Sequence, residues 1–362
     1  MRSLASYDIW DIRSPYIYCG LLQDVHIFGR SFVYAKTGAY VFQCQSYQNY
    51  QHFLFSACAD AFIEARRHTL FTKYIEDECI FLGGMGVEIT PEGPSHLLPG
   101  GINFGHFIFE YLNRLAIFDA CGLLQKLPVV VYDFIPKRWL GFLELLGIPE
   151  HRLIRIPTTE TPAYRKVWVS SACHYRSSEG PYHMWGEGLY WLRARLWNAV
   201  GGPQLAARRR IYLGRGAAIW RKISNEGEVK QLLAAYGFEF PAMDQMTARE
   251  QVEMMSGAEI VIAAAGAGTC VTQFAPSHCI VILLAPRGVS GIWGGQAAAT
   301  HLRQVYKWIE CEPEENAEFQ RENLSGDNEL ANFRVDIDGL RARLEAALNL
   351  IATGVRRDAL KL

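Results

Sequence analysis

Two hydrophobic periods alternate along most of this chain. Short apolar runs of strand length give way to longer stretches in which apolar side chains return every three to four residues, the spacing of a helix face. From residue 100 the alternation is regular. A glycine-rich loop, Pro99-Gly100-Gly101, leads into a helix from about Asn103 to Cys121. The run Leu127 to Tyr132 reads as a buried strand, and Lys137 to Leu146 as a helix stopped by Gly147. Strands follow at Leu153–Ile156 and Val167–Val169, then a helix from Tyr182 to Val200. The break Gly201-Gly202-Pro203 reads as a hinge. Beyond it come a strand at Ile211–Leu213 and a helix from Glu226 to Tyr236 that ends at Gly237. A second helix, Thr247 to Ser256, is opened by a Thr-x-x-Glu capping box at Thr247 and Glu250. Strands at Ile260–Ala263 and Ile280–Leu284 flank a tight turn at Gly266-Ala267-Gly268. Residues 338–362 read as an amphipathic helix. Before residue 100 the pattern is less regular: runs such as His26-Ile27-Phe28 and Ala39 to Phe42 suggest strands, and residues 55–75 a helix.

Strands alternating with helices imply parallel sheets covered on both faces. The 362 residues are long for one core, so the pattern divides into an α/β domain over 1–203, a second over 204–337, and a terminal helix, 338–362, expected to pack back on the first. Two such domains place a ligand in the cleft between them, at the carboxyl ends of the strands. Half the residues are hydrophobic and a fifth charged, as in a folded soluble protein. With 36 basic and 37 acidic residues, the chain lacks the broad basic face of a general nucleic-acid binder. No run approaches the roughly 18 apolar residues of a membrane span, and the start has no signal-peptide core. The nine scattered cysteines include no CxxC pair, which argues against a zinc ribbon or disulfide framework and for a cytoplasmic setting.

Against this neutral background, residues 208–226 concentrate positive charge. Arg208, Arg209, Arg210, Arg215, Arg221 and Lys222 occur before the first acid, Glu226. A strand that ends in Gly214-Arg215-Gly216 and is followed by a helix resembles a phosphate-receiving corner. Arginine suits that task, because its planar fork gives two hydrogen bonds to one phosphate and keeps its charge. A solvated basic turn is the plain alternative.

The ordered set Arg215, Arg221, Asn225-Glu226, Gly237-Phe238, Glu250-Gln251 and Gly266-Ala267-Gly268 resembles the conserved half of glycosyltransferase family 61. Upstream, Gly105-His106-Phe107 with Glu110 resembles that family's histidine-bearing helix. The resemblance covers residues 103–122 and 209–285. It implies a GT-B architecture of two facing Rossmann-like domains. It also implies inverting transfer from a nucleotide sugar, a uridine diphosphate sugar by preference, to a glycan or polysaccharide acceptor, with no cofactor and no metal required. The chain looks more like the family's bacterial branch than its membrane-anchored eukaryotic relatives. One departure stands out: the family's histidine before the glycine turn is replaced by Ala265, and Thr272 and Gln273 lie near the place of its downstream asparagine. That leaves open a non-catalytic glycan- or nucleotide-binding relative.

In this frame Arg215 and Arg221 would neutralise the donor diphosphate as it leaves. Asn225 reads either as a helix N-cap or as a ligand contact, and Glu226 either as a ribose acceptor or as an acid favoured by the helix dipole. Gln251 belongs to the donor set through the resemblance. Gly266, Gly268 and Thr269 form a turn that lets a ligand approach the backbone. A nicotinamide oxidoreductase would need a third glycine where Val271 stands, and an acid at the end of the strand that finishes Leu283-Leu284-Ala285. On the first helix, His106, Glu110, Asn113 and Arg114 share a narrow polar stripe on an otherwise apolar surface, suited to a cleft wall. His106, in the first turn, would be kept neutral by the helix dipole and act as the base that takes the acceptor's proton, oriented by Glu110. A His–Glu pair that serves packing alone is the other reading. The tryptophans between His183 and Trp197 read as core aromatics or as a sugar-stacking surface.

Overall fold

A computed structural model describes residues 12–28, 32–35, 40–42, 74–82, 89–90, 93–94, 104–133, 135–157, 162–176, 182–216, 221–287, 293–314 and 331–353. The helix expected over 55–75 and the Pro99-Gly100-Gly101 loop lie essentially outside them. The chain forms two compact units. The N-unit comprises Asp11–Gly202 with Thr247–Val252, and the C-unit Pro203–Met246 with Glu253–Leu362. At the junction Gly201 and Gly202 have φ of +91° and +104°, a left-handed turn that favours glycine.

In the N-unit the strands are β1 (Cys19–Phe28), β2 (Phe32–Ala35), β3 (Tyr40–Phe42), β4 (Cys79–Phe81), β5 (Val129–Tyr132), β6 (Leu153–Ile156) and β7 (Ala163–Ser170). Their order is β6-β5-β4-β7-β1-β2-β3, with Tyr74–Ile75 pairing onto β7 as the eighth strand. From β6 to β7 the pairing is parallel, and from β7 onward it is antiparallel. The expectation of a Rossmann-like parallel sheet is thus corrected for this unit. Strands β1, β2 and β3 are joined by connections too short for a parallel crossover, so they fold back as a meander. The parallel half follows from its residues: β5 is Val-Val-Val-Tyr, buried along its whole length, as a strand covered on both faces must be.

Helix α1 begins as α-helix at Phe104–His106, widens to a π-helix over Phe107–Leu112 and returns to α over Asn113–Ala120. Phe107 packs on Trp139 and Phe142 of the helix Lys137–Leu145, at ring separations of 5.5 and 6.4 Å. Helix α2 (Gly186–Ala199) buries Leu189, Leu192 and Leu196. Its tryptophans tie elements together. Trp191 Nε1 and Arg195 both donate to Asp119 of α1, and the Arg193 guanidinium sits over the rings of Tyr190 and Trp197.

The C-unit sheet contains β8 (Arg209–Leu213), β9 (Ala258–Ala264), β10 (Ile280–Pro286), β11 (Val305–Pro313) and β12 (Phe333–Arg334), in that order. The first four are parallel and β12 is antiparallel. On the free side of β8, Glu239 makes a parallel bridge to Ile211. The chain leaves β8 through helix α3 (Glu226–Ala235), touches that outer side at Glu239, and returns through helix α4 (Ala248–Ser256) to β9 on the other. The progression therefore reverses between β8 and β9. In a doubly wound sheet a crevice opens at that point, beyond the carboxyl ends of the two strands.

The last elements are α5 (Trp293–His301) and α6 (Ile337–Thr353). Leu340, Leu344 and Ala347 of α6 join Val229, Leu232 and Leu233 of α3 and the isoleucines of β9 and β10 in one buried cluster. Tyr236 donates to Glu345 at 2.7 Å. The terminal helix therefore fills the core of its own unit, where its i, i+4, i+7 apolar face is occupied. No helix among the described residues is long and apolar enough to cross a membrane.

Candidate functional site

In the N-unit the polar stripe of α1 is buried. Glu110, Asn113 and Arg114 are each at most 3% exposed. The π-helical turn, whose bonds run i to i+5, spans this stripe; such turns are rare and are often found at functional sites. Asn113 donates its side-chain N–H to the Phe109 carbonyl at 3.0 Å, so its part is to support that turn. His106 Nδ1 lies 2.5 Å from Glu110 Oε1. This imidazole is partly exposed, with its carboxylate partner shut inside.

The sequence reading missed a third member. His174, in the strand His174–Arg176, brings Nε2 to 3.8 Å from the same Oε1. Nothing in spacing or periodicity ties this residue to α1; only the fold does. Burial pushes the Glu110 carboxyl up, but His106, by charge and hydrogen bond, then His174 and Arg114 more than reverse this and hold it at about 2. Burial drives the His174 imidazole down to about 4, against the pull of Glu110. The cluster thus holds an ionised carboxylate between a neutral inner histidine and an outer one.

In the C-unit, β8 ends at Leu213 and the chain turns through Gly214 to Arg215. The Arg215 guanidinium rests on Gly266, beyond the end of β9, where an added Cβ would fall on its Nη1. Gly266 has extended backbone (φ 169°), so close approach rather than backbone freedom makes glycine necessary. Burial, and then the charge of Arg221, lower the Arg215 guanidinium to about 10. Two guanidiniums thus share a half-buried corner at the sheet's reversal point. Arg221 holds φ +57°, a left-handed conformation that costs a non-glycine residue roughly 1–2 kcal/mol. Such strain persists only where the surroundings impose it.

The remaining sequence candidates divide. Thr269 turns inward, its hydroxyl donating to the Gly266 carbonyl at 2.7 Å and closing the turn, while Gly268 is exposed beside it. The segment after Gly266 is a 3-10 helix, Ala267–Phe274. The Glu226 carboxylate lies over Gly214, accepts from Tyr212 Oη at 3.1 Å and pairs with Lys230 at 3.4 Å. Asn225 does not cap α3 with its side chain. Instead its amide clasps Val335, donating to that carbonyl at 2.9 Å and accepting from that N–H at 3.0 Å. The capping reading is corrected accordingly, since the buried backbone before α6 takes both amide groups. Gln251 is buried and belongs to the segment that groups with the N-unit. The Thr247–Glu250 capping box forms in both directions. Ala265 is buried, its amide donating to the Leu284 carbonyl at 2.8 Å.

The basic run splits in two. Arg208, Arg209 and Arg210 sit at the start of β8, away from Arg215 and Arg221. There Arg209 pairs with Glu239 at 2.6 Å, and Glu259 lies 4.0 and 3.9 Å from Arg208 and Arg210. They line a cavity of about 830 Å³ with Tyr236, Leu348 and Ile351. The length of β8 separates this cavity from the corner, because residues 208–210 lie at its start and Arg215 beyond its end.

No curated protein matches the chain in comparison. Residues 104–282 match the family model Glycosyltransferase 61, a span that contains both clusters.

Proposed function

We propose that this chain, a glycosyltransferase by the family 61 domain over residues 104–282, moves a sugar with inversion from a nucleoside diphosphate sugar to a hydroxyl of a glycan or polysaccharide. The observation that carries the reading is the Arg215 guanidinium seated on Gly266 at the reversal point of the C-unit sheet, beside Arg221. A doubly wound sheet binds phosphates there, and two arginines supply the charge that a departing diphosphate requires. That charge stands in for a metal ion, so the transfer needs none. Glu226, above Gly214, offers an acceptor for ribose hydroxyls.

In the reaction the acceptor oxygen attacks the anomeric carbon while the bond from that carbon to the donor phosphate breaks. The electron pair leaves with the nucleoside diphosphate. The acceptor's proton passes to His106 Nε2, and Glu110 at Nδ1 stabilises the resulting imidazolium. A GT-B arrangement would bring the two clusters to one donor and acceptor pair.

A non-catalytic relative is the second reading, favoured by Ala265 in the place of the family's histidine. Release of nucleoside diphosphate from uridine, guanosine and cytidine diphosphate sugars, with calorimetry of the free diphosphates, separates the two. Diphosphate binding without release under any acceptor would leave the binding reading. No diphosphate binding at all would overturn the donor site.

A further inference from the structure

Transfer as written leaves the buried His174 unused. His174 reaches Glu110 from a different element, at the oxygen that already meets His106. Among the described residues, the charged groups that act on it are His106, Glu110 and Arg114 from α1, the last only 1% exposed. The ring of Phe109 lies 6.0 Å from the His174 ring and closes the apolar side.

We propose that His174 is a positioning residue: neutral in its buried seat, it holds Glu110 Oε1 toward His106 Nδ1, which keeps the His106 proton on Nδ1 and its lone pair on Nε2. The inference rests on the reading of His106 as the base. The terminal torsion of a glutamate is broad, so one partner leaves its carboxylate free to swing. His174 reaches the carboxylate from a buried position and His106 from the partly exposed side, with the buried charge of Arg114 acting on the same group, and the two contacts favour one orientation. Charge balance requires the inner histidine to be neutral. With His174 uncharged, Glu110 and Arg114 cancel, and the cluster gains one positive charge when the acceptor's proton arrives at His106. A charged His174 would place a second cation at that carboxylate and oppose proton uptake by His106, since like charges disfavour protonation. Burial, which holds His174 near 4, maintains the neutral form.

The test is a nitrogen-15 histidine NMR titration of the full chain, with the His106 signals identified by His106→Gln. The wild type should show the Nδ1–H tautomer at His106. His174→Phe removes the 3.8 Å polar contact to Glu110, so it should mix the tautomers and raise the His106 midpoint by about half a unit, the low end for a hydrogen bond, because the contact is longer than one. His174→Asn, too short to reach Oε1, should act likewise and serves if the Phe variant fails to fold. His174→Gln keeps an N–H within reach and should restore the wild-type signals. An unmoved tautomer and midpoint in either folded loss variant would overturn the inference alone, as would an Nε2–H tautomer in the wild type. Near wild-type turnover by a folded His106→Ala would instead remove the base reading on which it stands.

Discussion

Replacing Gly266 by alanine puts a methyl group where the Arg215 guanidinium lies. The backbone there is extended, so alanine fits without conformational strain and even lowers the entropy of the unfolded chain, a gain of about 0.4–1 kcal/mol. What must move is the far end of a flexible side chain. Stability should therefore change by less than about 1 kcal/mol, while Arg215 is displaced from the corner. A hydrogen bond to a charged group contributes about 1.5–3 kcal/mol, so affinity for a nucleoside diphosphate should fall by about 10- to 150-fold. Calorimetry with uridine, guanosine and cytidine diphosphates, beside a urea denaturation curve, measures both quantities. The decisive comparison is a double-mutant cycle. In an Arg215→Ala background the added methyl meets nothing closer than 3.5 Å, so Gly266→Ala should then cost no further affinity. Additive losses in the cycle, or wild-type affinity in a folded Gly266→Ala, would refute the claim that the glycine exists to seat the arginine.

His106→Ala should reduce turnover by about 10²–10⁴-fold with diphosphate affinity intact, measured by nucleotide release. Arg221→Gly should relieve the φ +57° strain and raise the denaturation midpoint, while diphosphate affinity still falls; an unchanged affinity would remove Arg221 from the site. Asn225→Ala abandons two buried backbone groups of Val335, so it should cost about 2–3 kcal/mol of stability, yet in the folded fraction diphosphate affinity should hold. Stability should also fall with acidity in two stages. The unfolded chain protonates His174 at its ordinary 6.5 and the folded one only near 4, so stability drops between those values. Glu110 adds a further loss from 4.5 towards 2. Urea curves at stepped pH should show the first stage flatten in His174→Phe.

Where one physical rule governed a segment, the sequence was enough to read it. The wholly apolar runs at β5, β9 and β10, and the Thr247–Glu250 capping box, are local patterns with local causes, and each formed as expected. Strand β11 escaped notice because Lys307, Glu310 and Glu312 interrupt its apolar residues, and a half-covered strand of that kind lacks the signal of a buried one. The basic run misled because adjacent residues were read as neighbours in space; a five-residue strand separates the ends where Arg208 and Arg215 lie. Asn225 misled for the opposite reason. Its place before a helix predicts a cap, but the amide answers to Val335, far along the chain. The approach of Arg215 to Gly266 was anticipated only as two strand ends in one sheet, and His174 not at all, because side chains meeting across a fold leave no period in the sequence.

Biosynthesis meets this architecture in a fixed order. Domains fold as units while the chain emerges at roughly 5–20 residues per second. The N-unit recruits Thr247–Val252, so it waits for a segment made after the first strand of the other unit. The C-unit waits longer, because Leu340, Leu344 and Ala347 cover the same cluster as β9 and β10. Until α6 leaves the ribosome, the isoleucines of that sheet have only α3 to cover them. A message truncated before residue 337 would thus yield a chain whose C-unit lacks part of its core and is open to proteolysis.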